Sequence, residues 1–496
     1  MIKTPEAWLA AKPYQVEDAE FAVRHGRVVL GHKTGLGKTF ISMLAWSKWP
    51  NARKTLIVGT LSSTSVWWRL LQKWAGITPT FIQGNDPQWD SVLKAKEGVY
   101  VTTYSTLRLL LPKERGQGRG QGSQPRKVNF DLLINDELHR AMRSRGTQIY
   151  TAMKRVGFEN YLGLSATWSS RGPQDLWPVL HLMSPRTFPS YWAFVKTWCF
   201  VDKGPFGLEV YGVRNAENLR SMLRGKYFRS RTWGEVGNQF REGYEGEPVV
   251  RQVVKIPMSQ TQGALYKALS HNMMVELASR EEGEEGDGHI ERVVTPTALS
   301  LLTRLLQMAI SPQLLFQGQK VERGMAIEYL VDRIIETSHV VVFCPFRAGL
   351  EVLGKALQGE KEFSKTVHML HGQLNLSPEK INEVVSTWKR SRGVMLCTTS
   401  FAQSFDLDTT DTAYMLGYSW DPNDNIQAEG RLRRLDSILQ TPCLVRYIVV
   451  EGTAYEDVAE VVNGKYTTVV EFLRGYGLAH QKASETVPLK GPSFAS

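Results

Sequence analysis

Cysteine is scarce: Cys199, Cys344, Cys397 and Cys443 are the only four in 496 residues. They form no CxxC or Cys/His ligand spacing, which excludes a disulfide framework and a structural zinc site and fits a reducing compartment. Long hydrophobic runs are missing too. Stretches such as Val340 to Cys344 fall far short of the roughly 20 residues that span a bilayer, so no membrane association is expected. The start, MIKTPEAWLAAKPYQ, has no continuous apolar core followed by a cleavage signal. Acidic residues are in deficit, 49 Asp+Glu against 60 Lys+Arg, and the formal net charge of +11 suits a polyanionic partner. Hydrophobic and charged fractions of 42% and 22% show no compositional extreme and exclude collagen-like, wholly disordered and coiled-coil chains. At roughly 100 to 200 residues per domain, the length predicts two to four domains.

Short apolar runs bounded by Gly, Pro or polar clusters recur at Arg27 to Leu30, Thr55 to Val58, Val99 to Thr102, Asp131 to Ile134 and Tyr161 to Leu164. Their lengths predict buried parallel strands, and the stretches between them, such as VWWRLLQKW at 66–74, carry helical periodicity. A second series comprises 340–344, 367–370, 394–399, 412–416 and 444–450. The expected fold is therefore α/β with two lobes built on parallel sheets and a helical insertion between them. The predicted boundaries are a first lobe at 1–235 with a helical extension at about 175–235, a connecting helical segment at 236–330, a second lobe at 331–480 and a loose tail at 481–496. EEGEEGDG (281–288) reads as an acidic loop and KERGQGRGQGSQPRK (113–127) as a basic Gly-rich loop.

Chemistry begins after the first strand, in GHKTGLGKTF at 31–40. Backbone N–H groups of Gly35, Leu36 and Gly37 can wrap a phosphate because the glycines permit close approach. Lys38 reaches the outer phosphates, Thr39 can ligate Mg²⁺, and Phe40 closes the nucleotide-binding run. His32 stands where this pattern usually has its first glycine. The strand DLLI (131–134) runs into NDELH, which supplies one carboxylate for the metal, Asp136, and one to activate water, Glu137.

In order, KPYQ (12–15), GLGKT (35–39), NDELHR (135–140), LSAT (164–167) and QAEGRLRR (427–434) resemble a superfamily two, DEAD/DEAH-like helicase motor. TLIVGTLSSTSVWWRLLQKW (55–74), VTTYSTL (101–107), DLWPVLHLMSP (175–185), WDP (420–422) and EGTAYED (451–457) make the resemblance greatest to the Swi/Snf translocases. The resemblance implies two RecA-like lobes, ATP and Mg²⁺ in the cleft between them, and a DNA track across both. It makes Gln15 the adenine contact with Tyr14 packed nearby. It makes His139, Ser165, Ala166 and Thr167 the coupling elements, Arg431 and Arg434 cross-cleft donors to the γ-phosphate, and Gln427 a partner of the nucleotide or of the coupling loop. Arg431 and Arg434 share one face if QAEGRLRR is helical, with Arg433 between them as a solvated or DNA-facing charge. Ser62, Thr102 and Thr103 in the first lobe and His371, Gly372 and Thr398 in the second are the candidate DNA contacts. Trp67, Trp68 and Trp74 sit at spacings typical of packing rather than base stacking.

Three departures stand out. His32-Lys33 replaces an acidic pair, TTSFAQSFDL (398–407) lacks the family's glycines, and LSAT matches the wider helicase group. The expected activity is a DNA-stimulated ATPase that translocates on duplex or branched DNA in repair, recombination or replication, in contact with other proteins of those processes. The alternatives are a strand-separating helicase on DNA or RNA and a non-hydrolysing nucleotide-gated scaffold. The compact architecture suggests the cytoplasm of a bacterium or of an infected host cell.

Overall fold

The computed structural model describes residues 5–84, 88–111, 128–142, 144–166, 168, 173–204, 207–240, 249–272, 274–278, 290–294, 298–316, 320–337, 339–374, 376, 378–402, 405–419, 421–433 and 441–459. They form two compact units, within Met1–Gly246 and Glu247–Gly464. The expected loops at 113–127 and 281–288, and the expected tail at 481–496, lie outside the described residues.

The first unit has strands β1 (Arg27–Leu30), β2 (Lys54–Gly59), β3 (Thr80–Ile82), β4 (Gly98–Thr103), β5 (Val128–Asp136), β6 (Val156–Leu164), β7 (Cys199–Gly204), β8 (Gly207–Val213) and β9 (Phe228–Arg229). Seven make one parallel sheet in the order β3-β4-β2-β5-β6-β1-β9, and β7 and β8 form an antiparallel hairpin. All five expected runs are strands of this sheet. Every residue of β2 is buried, as a parallel strand covered on both faces requires. The Leu61–Ala75 helix starts where Thr60 accepts a hydrogen bond from the Ser63 amide and stops at Gly76, whose φ of 62° suits glycine.

The second unit has β10 (Val249–Ile256), β11 (Met274–Ala278), β12 (Ile290–Val294), β13 (Val340–Cys344), β14 (Val367–Leu370), β15 (Val394–Thr398), β16 (Thr412–Leu416) and β17 (Cys443–Val450). Its parallel sheet runs β10-β17-β16-β13-β15-β14, with β11 and β12 as a separate hairpin. A separate connecting segment at 236–330 is not what the structure shows. β10 pairs with β17 along its whole length, and Tyr266, Leu269, Leu306 and Ile310 from the following helices are buried in the second unit's core. VVRQVVKI mixes buried Val249, Val254 and Ile256 with exposed Val250, Arg251 and Lys255, as suits a strand at the edge of a sheet, and it lacks the continuous apolar run of the central strands. Likewise 175–235 is not only helical, since it contributes the β7-β8 hairpin and β9.

All four cysteines are buried free thiols, and burial pushes Cys199, Cys344 and Cys443 up to about 12. No helix among the described residues is long and apolar enough to cross a membrane.

Candidate active site

In both units the candidate side chains gather at the carboxyl ends of strands, where an open α/β sheet binds ligands. Gly31 to Gly37 link β1 to the Lys38–Ser47 helix, with Gly35 at φ 83° and Gly37 at φ 71°, left-handed conformations that glycine adopts without strain. The loop is braced from elements far away in sequence. The Tyr14 hydroxyl donates to the Leu36 carbonyl at 2.8 Å, and the Trp233 indole donates to the Thr34 carbonyl at 3.1 Å. The amides of Gly31 and Lys33 donate to the Arg229 and Arg231 carbonyls at 2.7 and 3.0 Å. A Cβ on Gly31 would sit 2.3 Å from the Phe228 ring, so β9 can lie beside β1 only because this residue is glycine.

His32 is more than a change of local charge. Its ring is fully buried, and Nε2 lies 2.8 Å from Asp18 Oδ2. Burial lowers its pKa against the opposing pull of Asp18. For Asp18, burial favours protonation, but hydrogen bonds from His32, Arg231 and Arg229 outweigh it and hold the carboxyl well below the usual range. Arg229 Nε and Arg231 Nε reach Asp18 at 2.6 and 3.0 Å, and both guanidinium groups also pair with Glu17. The network ties the loop, the Pro13–His25 helix and the segment after β9 together. No local motif announces it, because Arg229 and Arg231 lie more than 200 positions from Asp18.

Lys38 begins its helix with Nζ donating to the His32 carbonyl at 3.0 Å, while Thr39 stands half-buried in the first turn. Phe40 meets Trp74 edge-on, ring centres 5.4 Å apart, so its side chain packs on the Leu61–Ala75 helix. Gln15 is buried, and its Oε1 accepts from the Lys12 amide at 2.9 Å.

Asp136 is the last residue of β5 and is 7% exposed. Its Oδ2 accepts from the Trp67 indole N–H at 2.9 Å and its Oδ1 from the Glu137 amide at 3.0 Å. Burial and then the Glu137 charge push its pKa up to about 7, against the pull of the Trp67 hydrogen bond and the Lys38 charge. Glu137 has φ 51° and ψ 47°, a left-handed conformation that costs a residue with a Cβ about 1–2 kcal/mol. Its Oε2 lies 3.4 Å from His139 Nδ1, which is 2.9 Å from Ser165 Oγ. The Ser165 amide donates to the Leu30 carbonyl at 3.2 Å, so the ends of β1, β5 and β6 are joined through one chain of polar contacts.

Trp67 was expected as core, and it is fully buried, but its indole also orients the carboxylate. Trp67→Phe keeps most of the ring and removes the donor. The sequence assigns Asp136 to Mg²⁺, and an outer partner of a metal ligand is worth about 10–100-fold in affinity or activity, so on that assignment the Mg²⁺ concentration for half-maximal ATP turnover should rise by about ten-fold. An unchanged Mg²⁺ titration would leave Trp67 a packing residue.

Several expected contacts have other employment. Thr102 is buried and its hydroxyl donates to the Ile82 carbonyl at 3.0 Å, which corrects its assignment as a DNA contact. Thr103 caps the Tyr104–Leu110 helix by accepting from the Thr106 amide. Ser62 lies in the first turn of the Leu61–Ala75 helix, and its side chain is outside the description, as are Thr167 and Arg434. Ala166 is buried directly after Ser165. In the second unit, His371 and Gly372 follow β14, and Thr398 ends β15.

Gln427 is buried in the Pro422–Glu429 helix, which stops at Gly430. QAEGRLRR is therefore not one helix, and Arg431 stands in the turn beyond it, 3.7 Å from Asp406. Arg433 is not a solvated or DNA-facing charge. It is buried and donates to the carbonyls of Thr441 and Thr410 at 2.8 and 2.6 Å, closing the segment. No sequence motif points to Glu429, yet its buried carboxylate takes a two-pronged bond from Arg251 at 2.7 and 2.6 Å and one from Tyr447 at 2.8 Å. In the glycine-poor loop, Ala402 and Phe405 are buried in the core, and the Leu407 amide donates to the Arg431 carbonyl at 2.8 Å.

These residues fit a magnesium nucleotide. The loop offers backbone N–H groups and an ammonium for phosphates, and Thr39 and Asp136 offer the oxygen donors that Mg²⁺ takes.

The chain is 22% identical over 489 residues to the SWI/SNF-related matrix-associated actin-dependent regulator of chromatin subfamily A-like protein 1 of Xenopus tropicalis, covering 96% of this chain and 46% of that protein. It is 20% identical over 469 residues to chromodomain-helicase-DNA-binding protein 6 of Mus musculus, covering 86% of this chain and 16% of that protein. It thus spans less than half the length of either. Among solved structures, the Sulfolobus solfataricus SWI2/SNF2 ATPase core in complex with dsDNA is 19% identical, with 91% of this chain and 90% of that chain covered and a TM-score of 0.40. A helicase conserved C-terminal domain matches residues 325–436. The SNF2-related domain matches residues 14–314, more than half of the chain, which therefore belongs to the SNF2-related family of helicase-type ATPase domains.

Proposed function

We propose that the chain is an ATP- and Mg²⁺-dependent motor that translocates on duplex or branched DNA in repair, recombination or replication, working with other proteins of those processes. The observation that carries the reading is the carboxylate pair at the end of β5, with Glu137 held in a left-handed backbone and linked through His139 to Ser165. Magnesium-bound ATP, when present, supplies a polarised phosphoanhydride bond for water to cleave. Gly35, Leu36, Gly37 and Lys38 hold the phosphates, Thr39 and Asp136 hold the metal, and Gln15 reads adenine through its amide N–H₂. Glu137 takes the proton of the attacking water, and His139 with Ser165 passes the state of the site to the DNA contacts. Arg431 and Arg434 donate to the γ-phosphate, with Gln427 supporting them. Ser62, His371, Gly372 and Thr398 grip the DNA backbone, while Thr103 caps the Tyr104–Leu110 helix. The deciding experiment is ATP turnover measured with single strands, duplexes, forks and four-way junctions. Equal rates with and without every DNA would reject the motor.

If the grip is on phosphates, affinity for duplex should fall with salt at a log–log slope of about −0.9 per neutralised phosphate and depend little on sequence. Anisotropy titrations across a salt series measure it. A flat dependence or a strong consensus site would overturn this part of the reading.

A further inference from the structure

We propose that the outer face of the Tyr191–Trp198 helix, with the adjoining β7-β8 hairpin, is a binding surface for the unpaired strand of a branched DNA. The proposal rests on the DNA-motor reading and names the substrate feature that this face takes. Ser190 caps the helix, and Phe194 and Val195 anchor its inner side in the core. Trp192 and Lys196, four residues apart and so on one face, are exposed, and Phe200 follows at the start of β7.

Three rings here carry a cation. The Arg145 guanidinium lies 4.5 Å from the Tyr191 ring centre and 5.0 Å from that of Trp192, and Arg214 lies 5.2 Å from that of Phe200. Trp192 is 43% exposed and Phe200 39%, so neither ring is consumed by the core. Arg145 stands in the connection that leaves Glu137, between the Leu138–Arg140 turn and the Gln148–Met153 helix.

The alternation of exposed rings with Arg145, Lys196 and Arg214 matches one ligand chemistry. Rings stack on bases while the cations meet phosphates, and every base has a face to stack. A paired duplex hides those faces and offers only its backbone and groove edges, so it cannot use Trp192 or Phe200 in this way. An unpaired strand can. Asp202 on β7 is exposed, and its Oδ1 accepts from the Lys203 amide at 2.8 Å.

Binding is measured on the full chain without nucleotide with three dye-labelled probes, a single-stranded oligothymidylate, a fork with unpaired tails and a blunt duplex, and ATP turnover is measured separately. Trp192→Ala combined with Phe200→Ala should weaken binding of the oligonucleotide and of the fork by about ten-fold or more, since stacking is worth about 1–3 kcal/mol per base. Blunt-duplex affinity and duplex-stimulated ATP turnover should not change, which also shows that the variant is folded. Ultraviolet cross-linking of iodouracil placed in the fork tail should map to the Tyr191–Trp198 helix. Unchanged oligonucleotide binding, or an equal loss on all three probes, overturns the proposal. A wild-type chain without any DNA-stimulated turnover would reject the motor reading instead, and the oligonucleotide comparison would still judge the surface.

Discussion

Glu137→Gln is expected to bind ATP like the wild type and to hydrolyse it more slowly by about 10² or more, the usual worth of a positioned general base. The substitution keeps shape and length and leaves Asp136 and its bonds from Trp67 and the residue-137 amide in place. It removes only the charge that can take a proton. The backbone at this position shows why a merely structural role is a poor account, because one of the few left-handed non-glycine residues described is spent on a carboxylate aimed at His139. Nucleotide-binding titration and steady-state turnover on the same preparation check the prediction, and turnover near the wild-type rate would remove Glu137 from the mechanism.

Arg434→Lys should lower DNA-stimulated turnover by about 10³, the lower end of what a γ-phosphate arginine contributes, although a positive charge remains. Lysine offers a point charge where a planar fork is needed, so ATP binding through Lys38 and Gln15 should persist while the rate collapses. Saturating DNA should fail to restore it. A surface arginine at this position would instead be worth almost nothing, because exposed charges contribute about 0–1 kcal/mol. Near-normal turnover in the variant would shift the role to Arg431, which hangs on the buried loop through the Leu407 bond to its carbonyl.

Much of the fold and of the candidate site is legible in the sequence. The strands that form the centre of each sheet carry short apolar runs, Leu56–Val58, Val340–Cys344 and Val394–Cys397 among them, and such runs announce themselves. Edge strands and short pieces carry a weaker signal: β10 mixes exposed and buried residues along its length, and β9 has two residues. The phosphate loop and the DE pair were readable because their chemistry demands fixed residue types at fixed spacing. Trp67, Glu429 and the Asp18 network were not, because their roles arise from side chains that meet only after folding. Arg433 shows the same limit from the other side, since a third arginine in a basic run reads as solvated until Thr410 and Thr441 turn their carbonyls toward it.

The bracing of the phosphate loop by residues 229–233 has a consequence for synthesis. A ribosome delivers residues 31–39 long before Arg229, Arg231 and Trp233, and at about 5–20 residues per second that interval is on the order of tens of seconds. Until then Gly31, Lys33 and Thr34 lack their long-range partners and Asp18 lacks both arginines. A nascent chain therefore carries the nucleotide-binding sequence without its finished form, and the loop matures only when nearly the whole first unit has left the ribosome.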